Sequence, residues 1–442
     1  MSRRLVLVIL CLVQFVDVLG VTSATTAIPA ILHGLKAPDT AAAPVATVYA
    51  MFFGGLLILG SRLGDKYGHR RLLLIGILLF SLVSVVGATA ASIGQLLVAR
   101  ALQGAAAALS VPSALRLLLH SATSERIRQV ALALWSASGA AAGALGFIVG
   151  GVLAQTWGWP SVFWVNAPVG CLLIIGILTS VPALAPENHR QRLDVVGAAL
   201  MIAAVTAIVA GGSLIEAAAL RIVGIVLVAS GGTLGAIFVI RQRLAAEPLI
   251  PVEAFVSPNL RAGTVVSFVN TATTSSTMVL ATLLLQNRLD ASPVQAGLSL
   301  ISFSVAVIVG SYLSRPLSES IRPYRMAALG LGTIAVGSAI LVITYGTWWG
   351  IVCGAAVSGA GIGISSVAGT NIGTDVPDHL AASASGVLNT GAQLGTAIGV
   401  AALVLVASTI SLGPIHGTAI AWAGAGIAAL GTALWINRAP AR

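Results

Sequence analysis

The chain has 442 residues, a mean hydropathy of +1.00 and only 8% charged residues. A water-facing surface needs about 25% charged residues, so a soluble domain is excluded and a polytopic membrane protein is left. The net charge of +10 and the pI near 10.5 would suggest a nucleic-acid partner in a soluble chain. Here the basic residues fall in short loops and set orientation in a bilayer, and no nucleic acid is expected.

A spanning helix needs about 20 mostly apolar residues, and apolar runs of that kind predict fourteen spans. Six lie at 5–32, 44–61, 72–92, 95–117, 128–155 and 161–182. Two follow at 194–214 and 221–240, and six more at 262–286, 293–314, 324–344, 347–374, 380–409 and 417–437. The N-terminal run resembles a signal peptide, but it continues past Ile31 and contains Asp17, so it reads as a retained first span. With the N-terminus inside, only Lys36, Arg221 and Arg288 fall in outer segments and only Arg100 falls within a span; the other nineteen of 23 basic residues lie on the inner side. That asymmetry predicts cytoplasmic termini.

The expected fold is therefore an all-α membrane protein with fourteen helices arranged 6+2+6. Residues 1–183 form one six-helix bundle, 184–258 a linker with two extra spans, and 259–442 a second bundle. The polar stretch Pro186 to Arg192 ends the first bundle; Arg241 to Arg261, with Pro248, Pro251 and Pro258, leads into the last. The two middle spans carry little polar surface and are expected at the periphery. Cys11, Cys171 and Cys353 lie far apart in apolar runs and read as packing residues, without disulfide or metal-ligand spacing.

Gly60-Ser61-Arg62-Leu63-Gly64-Asp65-Lys66-Tyr67-Gly68-His69-Arg70-Arg71 joins spans 2 and 3. Such a charge cluster cannot lie in lipid and marks a tight turn at the membrane surface. Only Asp17 in span 1 and Arg100 in span 4 are charged deep within the membrane. A charge there costs at least ~2.5–3.5 kcal/mol and needs compensation or a function. Helix rise puts Asp17 about 12 Å and Arg100 about 8 Å below the outer edge of the core, depths that permit contact. Burial and a neighbouring guanidinium act on a carboxyl in opposite senses, which suits a proton carrier; a static pair tying spans 1 and 4 is the alternative. Gln14, Thr22 and Thr25 lie within about two turns of Asp17.

Span 5 carries Gly139, Gly143, Gly146, Gly150 and Gly151, with a spacing that lets two helices approach closely. Asn270, Thr274 and Thr277 share one face of span 9, and Asn389 and Gln393 one face of span 13. Each set would line a cavity or bond between helices. Trp135 is a candidate contact for an apolar substrate. Gly359-Ala360-Gly361-Ile362-Gly363 lies inside an apolar span with no strand before it and is not a nucleotide loop; no Gly-Lys-Ser/Thr phosphate loop occurs.

Together these residues resemble the fourteen-helix drug:proton antiporter family of the major facilitator superfamily, along nearly the whole chain. The basic loop is similar to its first motif through Asp65, Gly68, Arg70 and Arg71, and Leu96-x-x-x-Arg100-x-x-Gln103-Gly104 to its helix-4 motif. Trp157 to Gly170 is similar to the entry to helix 6, and Ala384 to Gly399 to the penultimate helix. Two positions depart: the family's span-1 acid aligns with Gly20, one turn from Asp17, and the proline of the antiporter motif is absent from Gly146-Phe147-Ile148-Val149-Gly150-Gly151.

The resemblance implies a multi-pass cell-membrane transporter, monomeric, exporting small hydrophobic or amphipathic compounds. It would need no cofactor, metal or catalytic residue and would be driven by a proton gradient. Asp17 and Arg100 would couple the proton, and Gln14, Thr22, Thr25, Trp135, Asn270, Thr274, Asn389 and Gln393 would line the substrate cavity. Asp65, Gly68, Arg70 and Arg71 would form a conformational latch, and Gly146, Gly150 and Gly151 an antiporter-like packing motif. Uptake, export of one dedicated metabolite, and a non-transporting sensor or scaffold are the rival readings.

Overall fold

In a computed structural model the described residues are 3–122, 124–183, 193–215, 218–245, 248–250, 253, 256–410 and 416–438. The polar stretch Pro186 to Arg192, together with Pro251 and Arg442, lies outside them. Fourteen long apolar helices account for almost all of the described chain. The first bundle holds α1 (Arg3–Gly34), α2 (Ala42–Tyr67), α3 (His69–Ala88), α4 (Ile93–His120), α5 (Glu125–Trp157) and α6 (Ser161–Ser180, broken at Val165). Next come α7 (Val195–Ile215) and α8 (Arg221–Leu244). The second bundle holds α9 (Pro258–Asn287), α10 (Pro293–Ser320), α11 (Pro323–Ile343), α12 (Trp348–Thr374), α13 (Asp378–Thr409) and α14 (Gly417–Arg438).

The basic loop of the sequence reading is not a loop. α2 continues through Asp65 and Lys66 to Tyr67, and α3 begins at His69. A helix keeps satisfying its own backbone after the apolar run has ended, so the chain turns on one residue. That residue is Gly68, at φ 94°, a conformation a side chain would strain; its N–H caps α2 by donating to the Gly64 carbonyl at 2.8 Å.

Lipid gives apolar side chains no reason to leave it, so helices here are held by close approach of small residues and by interhelical hydrogen bonds. The α5 glycine stripe shows this. Gly139 lies against Gln14, Gly143 against Val18, Gly146 against Thr22 and Gly150 against Ser23, so α1 runs along the stripe for more than two turns. Ser23 Oγ donates to the Gly146 carbonyl at 3.0 Å. In α12, Gly359 and Gly363 meet α10 while Gly361 meets α11, so the glycine run dismissed as a nucleotide loop wedges one helix between two others. On α4, a Cβ at Gly104 would collide with the Tyr49 carbonyl oxygen of α2.

The bundles meet along two seams. One is α2 against α13, where Thr390 Oγ1 donates to the Gly54 carbonyl at 3.2 Å and Gly54 seats Gln393. The other is α5 against α10, where Gly151 abuts Pro293 and Gly297 abuts the Phe147 carbonyl. At the end opposite the basic segments the two bundles share one apolar core, including Ile28 and Ile31 of α1, Phe147 of α5, Leu284 of α9, Leu300 of α10 and Val404 of α13. At the basic end each keeps its own core, around Leu10, Leu73 and Leu118 in the first and Val266, Leu331 and Ile372 in the second. The two are joined there along one flank, where Leu59 of α2 shares a core with Leu260 of α9 and Leu388 of α13. The molecule is closed at one end and, away from that flank, divided at the other.

The two middle helices differ from each other. α7 fills the flank between α2 and α13, through Ala198, Met201, Val205 and Val209. α8 packs chiefly on α7 and is the least buried span. The peripheral position expected for both therefore describes α8, while α7 seals a seam. Their basic ends are tied by a cluster that hydropathy does not reveal. Asp194 Oδ1 caps α7 by accepting from Gly197 N at 2.8 Å and from Arg241 Nη2 at 2.8 Å. Its Oδ2 accepts from Gln242 Nε2 at 2.8 Å, and Gln242 Oε1 accepts from Ile250 N. Burial pushes the Asp194 carboxyl up, but these donors and the Arg241 charge outweigh it and hold it below its usual value.

Two outcomes follow for stability. Gly104→Ala should destabilise the detergent-solubilised protein by about 1–3 kcal/mol, read by thermal unfolding, because the α2–α4 approach leaves no room for a methyl group. Asp194→Ala should cost about 1–3 kcal/mol by stranding Gln242 and the α7 N-terminus. The wild-type advantage over Asp194→Ala should be level above about pH 5 and fade as the pH falls below ~3.9, since a carboxyl lowered in the folded state loses its contribution on protonation. An advantage unchanged at pH 3 would refute the assignment.

Candidate functional site

Three helices converge on the one carboxylate in the membrane interior. Asp17 on α1 is 9% exposed, and its Oδ1 accepts a short hydrogen bond from the Tyr49 hydroxyl on α2. The Arg100 guanidinium on α4 stacks over the Tyr49 ring, 4.9 Å from its centroid. Asp17 and Arg100 do lie together, as the depth estimate allowed, but no direct ion pair joins them, because Tyr49 stands between.

Tyr49 is absent from the sequence reading. The available signal was a lone tyrosine well inside an apolar span, whose hydroxyl needs a partner once buried. Its placement follows from backbone packing: Gly104 lets α4 approach the main chain of Tyr49 itself, which brings Arg100, one turn earlier on α4, over the ring.

The polar path continues on the far side of Arg100. Its Nη1 donates to Gln103 Oε1 at 3.4 Å, Gln103 Nε2 donates to Ser84 Oγ at 2.7 Å, and Asn166 Nδ2 reaches the same oxygen at 3.3 Å. All four of these residues are nine-tenths or more buried. Arg100 Nε has no hydrogen-bond partner among the described residues. Asp17 also lines a small cleft inside the first bundle with Phe80, Ser81, Ser110, Asn166 and Leu173.

The other sequence candidates divide. Gln14 lies against Gly139, its Oε1 buried without a partner. Thr22 is packed into α5 at Gly146, and its hydroxyl donates to the Val18 carbonyl at 3.0 Å. Thr25, half-buried, donates to the Val21 carbonyl at 3.0 Å. Trp135 is half-buried against the first bundle's cores.

Asn270 and Thr274 are not at an open surface. Asn270 Oδ1 accepts from Ser365 Oγ of α12 at 2.8 Å, and Thr274 donates to the Asn270 carbonyl at 2.6 Å. Both are at most 2% exposed; Asn270 ties α9 to α12 and the Thr274 hydroxyl is spent within α9, since in lipid a buried amide on a crowded face finds a neighbouring helix. On α13, Gln393 sits at the α2 seam and Asn389 is exposed.

The latch residues stay within the first half. Asp65 Oδ1 is 3.0 Å from His69 Nε2, and Arg70 Nη2 donates to the Leu178 carbonyl at the end of α6 at 2.9 Å. Arg71 is exposed. Arg62 reaches farthest, donating to the carbonyls of Pro248 (2.5 Å) and Leu249 (3.3 Å) in the segment leading to the second bundle. Of the antiporter-like glycines, Gly146 and Gly150 receive α1, and Gly151 receives α10 of the other bundle.

Comparison with known proteins agrees with this architecture. A family model described as Major Facilitator Superfamily matches residues 10–400, and again 263–442. The chain is 31% identical over 423 residues to a cephamycin export protein of Amycolatopsis lactamdurans, covering 90% of this chain and 84% of that one. It is 34% identical over 399 residues to a methylenomycin A resistance protein of Streptomyces coelicolor, covering 88% and 82%. It is 31% identical over 431 residues to a puromycin resistance protein of Streptomyces alboniger, covering 93% and 84%. Among solved structures, a POT-family transporter in complex with 5-aminolevulinic acid superposes with a TM-score of 0.72 at 14% identity, over 98% of this chain and 95% of that one. The nucleoside transporter NupG gives 0.67 at 12%, over 98% and 99%; these two speak to the fold alone. The chain is a multi-pass membrane protein and belongs to the major facilitator superfamily of transporters.

Proposed function

We propose that the protein is a proton-coupled exporter of small amphipathic or hydrophobic compounds, working as a monomer by alternating access. Export is supported by relatives named for antibiotic export and resistance that match most of this chain. Coupling is supported chiefly by one observation: Asp17, the sole carboxylate in the membrane interior among the described residues, is bonded to a hydroxyl rather than paired directly with a guanidinium.

A tyrosine hydroxyl both donates and accepts. It donates to ionised Asp17, and when Asp17 takes a proton the hydroxyl oxygen accepts from the new O–H. Both protonation states are satisfied, while the local charge, Arg100 included, changes from zero to +1. That change is the differential interaction a proton needs in order to bias one conformation over another. The closed and divided ends of the two bundles fit a carrier open toward its basic, cytoplasmic side, with the substrate route between the bundles. A proton moving inward down 100 mV supplies about 2.3 kcal/mol, beyond any pH difference.

The test is substrate-driven proton movement in proteoliposomes carrying an imposed pH gradient. Asp17→Asn should abolish it, with retention and thermal unfolding of the folded protein unchanged. Tyr49→Phe, which keeps the ring under Arg100 but removes the bridge, should reduce it at least about tenfold, a loss on the scale of one hydrogen bond to a charged group. Coupled movement that survives Asp17→Asn would remove Asp17 from the role.

A further inference from the structure

The charge balance of the interior carries the reading one step further, to substrate class. Among the described residues, Asp17 is the one acidic residue placed away from helix ends and connecting segments. It is largely buried, its carboxylate receives the Tyr49 hydroxyl, and the Arg100 guanidinium lies over the face of that ring. The interior around the coupling site is therefore neutral when Asp17 is ionised and carries +1 when it is protonated. At no step of the cycle is it negative.

The inter-bundle surface offers uncharged polar groups instead. On α13, Gly386, Thr390 and Gln393 face α2, Gly391, Gly395 and Gly399 face α9, and Ala397 and Ala401 pack with α7. At 100° per residue the α2 and α9 contacts leave a strip between them, away from the side of Ala397 and Ala401, and Asn389 lies on it, exposed. A permanent cation entering this space loses its hydration shell and meets an amide, which does not replace a counter-charge. An uncharged molecule with carbonyl or hydroxyl groups meets matching donors and acceptors.

We infer that the protein takes its substrates without net positive charge, as neutral hydrogen-bonding amphipaths or the uncharged forms of weak bases, with Asn389 as a recognition group. The inference rests on the inter-bundle space being the substrate route. A neutral substrate leaving as one proton enters moves one net positive charge inward per cycle.

Binding to purified protein tests this with two probes of similar size, neutral triphenylphosphine oxide and cationic tetraphenylphosphonium, read by tryptophan fluorescence and by calorimetry. Wild type should bind the oxide more tightly. Asn389→Asp, which puts a carboxylate on the open strip, should tighten tetraphenylphosphonium at least about tenfold, and Asn389→Glu serves if Asn389→Asp fails to fold. Wild type preferring the cation would overturn the inference. So would a cation affinity unmoved by the new carboxylate, which would show that Asn389 does not face the route. The assay involves no proton movement, so the expected order with uncoupled Asp17 would sink antiport alone, and the reverse order with intact coupling would sink only the substrate class.

Discussion

Hydrocarbon gives a polar group no partner, so each polar side chain within these spans must find one on its own helix or on another. Asp17 imposes the strictest form of that constraint. Its carboxylate draws in Tyr49, the Tyr49 ring carries Arg100, and Arg100 hands on to Gln103, Ser84 and Asn166. Five helices, α1, α2, α4, α3 and α6, are thus ordered around one ionisable group. Close packing and the polar cluster form a single contact, since Gly104 admits the backbone of the very residue whose hydroxyl meets Asp17. A change at the carboxyl is felt first by α2.

α2 is well placed to pass that change on. Five residues after Tyr49, Gly54 touches the second bundle, through the hydroxyl of Thr390 and the stem of Gln393. Farther along, Gly55 meets Ile202 of α7, and Arg62 holds the segment at Pro248 and Leu249. The opposite seam, α5 on α10, is made by glycines against backbone near the closed end. Seams of small residues have shallow relief, so one bundle can rock on the other without side chains disengaging from deep holes. With Asp65 and Arg70 bonded inside the first half, the basic end is free to be divided.

The legible part of this architecture was whatever hydropathy and charge encode over the length of a span. Fourteen helices were readable because lipid demands about 20 apolar residues from each, and the pairing of Asp17 with Arg100 because uncompensated charges at similar depth need each other. The α5 glycines were readable because small residues spaced four apart have few other uses. Facing was not legible. Asn270 and Asn389 are the same residue type on comparable spans, yet one is spent on Ser365 and the other lies open; the difference arises from which helix stands opposite. The Asp194 hub escaped for a related reason: Asp194, Arg241 and Gln242 are polar residues near predicted loops, and only the fold brings them together. The basic loop was misread because a helix may outrun the membrane.

The missing direct ion pair distinguishes Asp17 from an acid placed at Gly20. An acid at Gly20 would face Phe80 of α3, an apolar neighbour with no hydrogen bond to offer. One turn earlier, Asp17 meets a hydroxyl. A carboxylate locked to a guanidinium is stabilised in its ionised form alone, and protonating it would leave a buried charge without its partner. With Tyr49 inserted, the guanidinium keeps the ring face as its neighbour whether or not the proton is present, and the hydroxyl reverses its role from donor to acceptor. The cluster therefore holds the acid in place without holding it in one charge state, which is what the proposed proton coupling requires.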